Sequence, residues 1–104
     1  MTYLNVRVTR IWDPDWYPGF AECALVDASG AEHRFQDKIP VFSARTLTLD
    51  DLPCEGAVRC VRAGGHPDGT ITVDTAFPDD IESETGEHLF RVFPHQLADG
   101  EAFL

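Results

Sequence analysis

The sequence lacks long apolar runs, lacks paired-cysteine motifs, and carries almost no basic charge in its second part. Its uninterrupted apolar stretches, such as Ala24-Leu25-Val26, are only a few residues long, whereas a membrane-spanning helix needs about 20. The opening residues, MTYLNVRVTRIW, alternate polar and apolar and have no basic cap followed by an apolar block, so no signal peptide is expected. Cys23, Cys54 and Cys60 are an odd set without CxxC spacing, and each lies in or beside an apolar stretch. Such thiols are expected to be free, buried and small, and a disulfide framework is not expected. These absences point to a cytoplasmic chain that makes no membrane contact.

Chemical signatures are missing too. No HExxH, GxSxG, GxGxxG or P-loop is present. Cys54, Cys60 and His66 are spaced by six each time, which fits no zinc pattern. A calcium loop begun at Asp80 would need Gly at position 6 and Glu at 12, but Gly86 falls at 7 and Arg91 at 12. Lys38 is the only lysine and sits beside Asp37, as an ion-paired strand end would. The expectation is therefore no catalytic residue, no metal and no cofactor.

The charge that is present is unevenly placed. Residues 1–63 hold seven basic and nine acidic side chains, a balance of −2, and residues 64–104 hold Arg91 against nine acidic ones, a balance of −8. Nucleic acids and anionic membranes are bound through Lys and Arg, so both are disfavoured partners. Acidity on this scale keeps a protein in solution and also provides a docking face for a basic protein partner.

Chain length and patterning define the fold expected. The 104 residues suffice for one domain, 1–104, with 43% apolar and 25% charged residues as in ordinary globular chains. Short segments of period two, separated by Gly, Pro and Asp, signal strands. Leu4, Val6 and Val8 alternate with Asn5, Arg7 and Thr9, while residues 19–27 are apolar on both faces, as in a central strand. Asp27-Ala28-Ser29-Gly30 then turns the chain into a hairpin with residues 32–36.

One or two helical turns are expected over residues 43–52, capped by Ser43 or Thr48 and stopped by Pro53. Strands over 55–62 and 70–75 follow, and a third hairpin joins 80–84 to 88–93. Six to seven short strands with at most one short helix imply a mainly β fold: a small closed or partly open antiparallel barrel, or a sandwich. A helical turn between the third and fourth strands is the order of an oligonucleotide-binding (OB)-like barrel, an analogy of topology alone.

Two local features are candidates for partner binding. The loop Trp12-Asp13-Pro14-Asp15-Trp16-Tyr17-Pro18 concentrates rigid aromatic surface, and Trp12, Trp16 and Tyr17 are of the types found in interface hot spots. Such rings also serve to plug one end of a barrel. In the acidic hairpin, Asp80, Glu82 and Glu84 fall on one face if the segment is extended, a row of three carboxylates. His33, two residues before Phe35 on the same face, is expected to be a half-buried core residue.

The stretches WDPDWYPGF, ALVDASGAEHRF with DKIPVFSA, and VDTAFPDDIES with GEHLFRV resemble a pattern in small bacterial proteins of uncharacterised function. The resemblance covers most of the chain and implies no catalytic or binding residue. The function expected is a non-catalytic protein-binding module, one form being an acidic immunity- or inhibitor-type protein. A small-ligand-binding barrel or enzyme, with Trp12, Trp16 and His33 near its mouth, is a second class. Single-stranded nucleic-acid binding is a third, and it needs a positive stripe that only Arg7, Arg10, Arg34, Lys38, Arg45, Arg59 and Arg62 could build.

Overall fold

Alternation along the first residues does produce a strand with one inward face. In the computed structural model, which describes residues 1–12 and 18–100, β1 runs Thr2–Trp12 with Leu4, Val6 and Val8 buried and Asn5 and Arg7 exposed. The pairing register shifts between Val8 and Arg10, so Thr9 and Arg10 are both exposed before Ile11 turns back into the core.

The remaining strands are β2 (Phe20–Val26), β3 (Glu32–Lys38), β4 (Cys54–Gly65), β5 (Ile71–Asp74), β6 (Leu89–Val92) and β7 (Leu97–Asp99). All pairings are antiparallel. The order is β3-β2-β1-β4-β5-β6, with β7 on β1, and the sheet curls into a half-barrel. The mainly β fold read from the sequence is found, and of the closed barrel, partly open barrel and sandwich expected it is the partly open barrel. No helix among the described residues is long and apolar enough to cross a membrane.

Curling brings the two ends of the sheet together. Phe90 of β6 meets Phe35 of β3 edge-on at 5.4 Å between ring centroids, and both are essentially inaccessible. Two backbone bonds tie the same seam: Ala28 N–H donates to Arg91 O at 2.9 Å, and Glu84 N–H to Arg34 O at 2.8 Å. Leu4, Val8, Val58, Phe42, Val73 and Val92 fill the interior between these walls. Burying a side chain such as Phe90 contributes ~1.5–3 kcal/mol, so the seam is held chiefly by packing.

Two local expectations need correction. The α-helical segment lies earlier than expected: α1 is Ile39–Phe42, Pro40 occupies its first turn, and Ser43 closes it with N–H to Ile39 O at 3.1 Å. Proline's fixed φ suits the start of a helix, and this places the α-helical turn before Ser43. Within 43–52 the expected turn does form, as a single 3₁₀ turn at Leu49–Asp51 with Thr48 at its cap position, where Thr48 N–H donates to Asp51 Oδ2 at 2.7 Å. The second correction is the acidic hairpin, whose first arm is not a strand. Residues 75–88 fold as a loop, with Asp80 in the left-handed region at φ 55 and its N–H spent on Ala76 O. The amides of Ile81 and Ser83 bond within the same loop, to Thr75 O and Glu87 O. Only Glu84 N–H is left to reach β3, so no ladder forms.

Candidate functional site

The acidic segment keeps its alternation although it is not a strand. Ile81 and Ser83 are buried, while Asp80, Glu82 and Glu84 are exposed. The fully buried Thr75 hydroxyl donates to Ile81 O at 2.7 Å, and Ser83 Oγ accepts Glu87 N–H at 3.1 Å. Glu84 also accepts from Gln36 Nε2 at 3.0 Å. Thus three carboxylates stand outward on a segment pinned from below.

His33 anchors the far end of the segment. Its Nε2 lies 2.7 Å from Asp27 Oδ2 and its Nδ1 3.2 Å from Glu87 Oε2, with the ring edge-on to Phe90 at 4.9 Å. The expectation of a half-buried core histidine holds, with 14% of its side chain accessible. Partial burial of Asp27 works to raise its pKa. Hydrogen bonds from His33, the Ser29 hydroxyl and the Ala31 and Ser29 amides outweigh it and bring the carboxyl down to about 2.

The cysteines behave as small hydrophobes. All three are free, Cys23 and Cys60 are buried, and burial pushes the Cys60 thiol up to about 11 and that of Cys23 higher still. Such thiols stay protonated and make poor nucleophiles. No group of three His, Cys, Asp or Glu side chains suited to a metal ion exists among the described residues.

Of the aromatic candidates, Trp16 and Tyr17 lie outside the described residues. Trp12 ends β1 on its outward side, half-buried, and stacks on its cross-strand neighbour Phe20 at 6.0 Å between centroids and 15° between planes. The Arg10 guanidinium lies over the Trp12 ring, 5.4 Å from its centroid. Strand register places Trp12, Phe20 and Lys38 in one cross-strand row and Arg10, Glu22 and Gln36 in the next. Since Gln36 holds Glu84, the acidic segment borders the aromatic row, about 7 Å away along the strands. No contact joins Trp12 to Asp80, Glu82 or Glu84 among the described residues.

An open groove of about 690 Å³ continues this face along β1, bordered by Asn5, Arg7, Thr9, Ala24, Glu32 and Glu55. It lies on the outside of the barrel, because these side chains alternate with the inward Val6, Val8 and Leu25. Sequence reasoning missed Phe20 as the partner of Trp12, and Ile81 and Ser83 as anchors of the carboxylate row. The period-two pattern carried the signal for both, but only pairing register reveals which residues meet. No protein-family model, no curated protein and no solved structure matches the chain.

Proposed function

We propose that the chain is a non-catalytic protein-binding module, and that Asp80, Glu82 and Glu84 form its docking surface for a basic partner. The observation that carries this reading is that the three carboxylates are exposed on a pinned segment with no cationic partner among the described residues. The adjacent Asp79, by contrast, is held by Arg59, whose Nε donates to Oδ2 at 2.8 Å. A backbone fixed in advance loses little freedom when a partner arrives. Phe77 and Leu89 flank the segment in sequence and are 60% and 53% exposed, and they supply apolar contact beside the charge. An immunity- or inhibitor-type role in the bacterial cytoplasm is the concrete form: an acidic domain steers a basic enzyme or toxin toward itself.

The test uses the immobilised full-length chain beside a triple variant, Asp80→Lys, Glu82→Lys and Glu84→Lys. Both capture from an extract of the source cell, with mass spectrometry of what is retained. A basic protein held by the native chain and lost from the variant is expected, with an association rate that falls steeply as salt rises. Equal retention by both, or an association rate insensitive to salt, overturns the reading.

A further inference from the structure

Few cations exist in this chain, and most are committed. Arg34, Arg45, Arg59, Arg62 and Arg91 each lie within 3.8 Å of a carboxylate oxygen. Arg7, Arg10 and Lys38 have no carboxylate partner among the described residues. With 18 acidic groups to eight basic, pairing is the expected fate of every cation. The three exceptions are not scattered. Arg7 and Arg10 are exposed along β1, and Lys38 is exposed at the end of β3, in the same row as Trp12 and Phe20. Arg10 covers Trp12, and the groove beginning at Arg7 continues the face along β1.

We propose that this outward face of β1–β3 binds single-stranded nucleic acid, with bases stacking on the Trp12–Phe20 pair and phosphates held by Arg7, Arg10 and Lys38. Stacking suits single strands because every base presents a flat π-face once it is out of a duplex. An acidic protein segment would engage the cations but has no need of a stacked pair made by the half-buried Trp12 and the exposed Phe20, so the aromatics favour the nucleic acid. The net charge of −10 opposes the association: its densest part borders β3, and Glu55 and Glu22 stand opposite Arg7 and Arg10 in the strand register, though neither is within ion-pair distance of them. Two strand spacings of about 4.8 Å separate β1 from β3, close to the Debye length of ~10 Å at 0.1 M salt. The repulsion from the acidic loop is thus partly screened at Arg7 and Arg10. None of the three carboxylates behind the protein-binding reading takes part, so each idea stands or falls without the other.

Fluorescence anisotropy of the full-length chain with short fluorescein-labelled oligothymidylate and oligouridylate tests the proposal. Saturable binding at ~50 mM salt is expected. Three phosphate contacts on a single strand give a log–log salt slope of about −2, so affinity falls about 20-fold between ~50 and ~200 mM. Trp12→Leu weakens binding roughly ten-fold or more. Arg7→Gln, Arg10→Gln and Lys38→Gln each lower the slope by about 0.7. These three side chains are exposed, so their variants report even if Trp12→Leu disturbs the fold, which circular dichroism checks. Absence of binding at ~50 mM salt, or binding unchanged by the three glutamine variants, overturns the proposal. Competition by polyglutamate as strong as by oligonucleotide, with no effect of Trp12→Leu, also overturns it and points to an acidic protein instead.

Discussion

At the scale of single residues, the tightest constraint falls on a glycine. A Cβ on Gly56 would stand 2.9 Å from Val8 Cγ2 and 3.0 Å from the Phe42 carbonyl oxygen, where β4 passes between β1 and α1. The backbone oxygen cannot move aside as a side-chain tip does, so Gly56→Ala is expected to cost ~1–3 kcal/mol, read as a lower urea midpoint. Nothing in the sequence around Gly56 announces this approach, because the crowding atoms come from residues 14 and 48 positions away. Asp27 and Asp68 make a second prediction. Hydrogen bonds bring Asp27 down to about 2 against its partial burial, and the Thr70 hydroxyl and amide, aided by Arg91, do the same for Asp68. Both folded-state values lie below the ordinary carboxylate value of ~3.9, so their contribution is complete above about pH 4 and vanishes as pH falls through about 2. Urea midpoints measured across that interval should decline, and the decline should be shallower in Asp27→Asn, whose side chain cannot titrate.

Individual elements differ in how far the sequence betrays them. β1 to β3 were legible because an alternating face and an Asp-to-Gly turn specify both strand and hairpin, and Asp27 indeed accepts from the Ser29 and Ala31 amides at 2.8 and 3.0 Å. β7 was not, since three residues are too few to display a period, and only Leu97 of the three is partly buried. In the acidic segment the inside–outside alternation was correct and the strand was not. Burial pattern depends on side chains, whereas a strand also needs a partner for its amides, and those of Asp80, Ile81 and Ser83 bond within the loop. The carboxylate row was therefore readable, but its anchoring was hidden. Ile81 is the apolar anchor, 4% exposed within the core cluster. Ile81→Ala should cost ~2–5 kcal/mol or, if the loop alone yields, speed amide exchange at Ser83 and Glu84 with little loss of global stability. Hydrogen-exchange rates beside an equilibrium melt separate the two outcomes, and unchanged values for both would remove Ile81 as the anchor.

The whole molecule is electrically two-sided, and this gives its charge a consequence beyond solubility. Among the described residues, carboxylates without a cationic partner crown the loop beside β3, and cations without a carboxylate partner line β1 and the end of β3, on a body only 46 Å in its longest dimension. Any anion approaching the cations therefore feels the acidic loop from a distance set by salt. Asp80→Asn, Glu82→Gln and Glu84→Gln together change the net charge from −10 to −7 without touching the aromatic row. In water a pair of unit charges ~20 Å apart interacts by ~0.2 kcal/mol and a closer pair by more, so removing three carboxylates relieves three bound phosphates by at least about 1.9 kcal/mol before screening. For an oligonucleotide held on β1–β3 by three phosphates, affinity should rise roughly five-fold to 20-fold at ~0.01 M ionic strength, where the Debye length of ~30 Å spans much of the molecule. At ~0.15 M, with a Debye length of ~8 Å, the same variant should bind like the native chain. Anisotropy titrations at the two ionic strengths decide the matter. A gain that persists at the higher salt would place the loop in direct contact with the ligand, and no gain at the lower would mean that the cations of β1 are not where the anion lies.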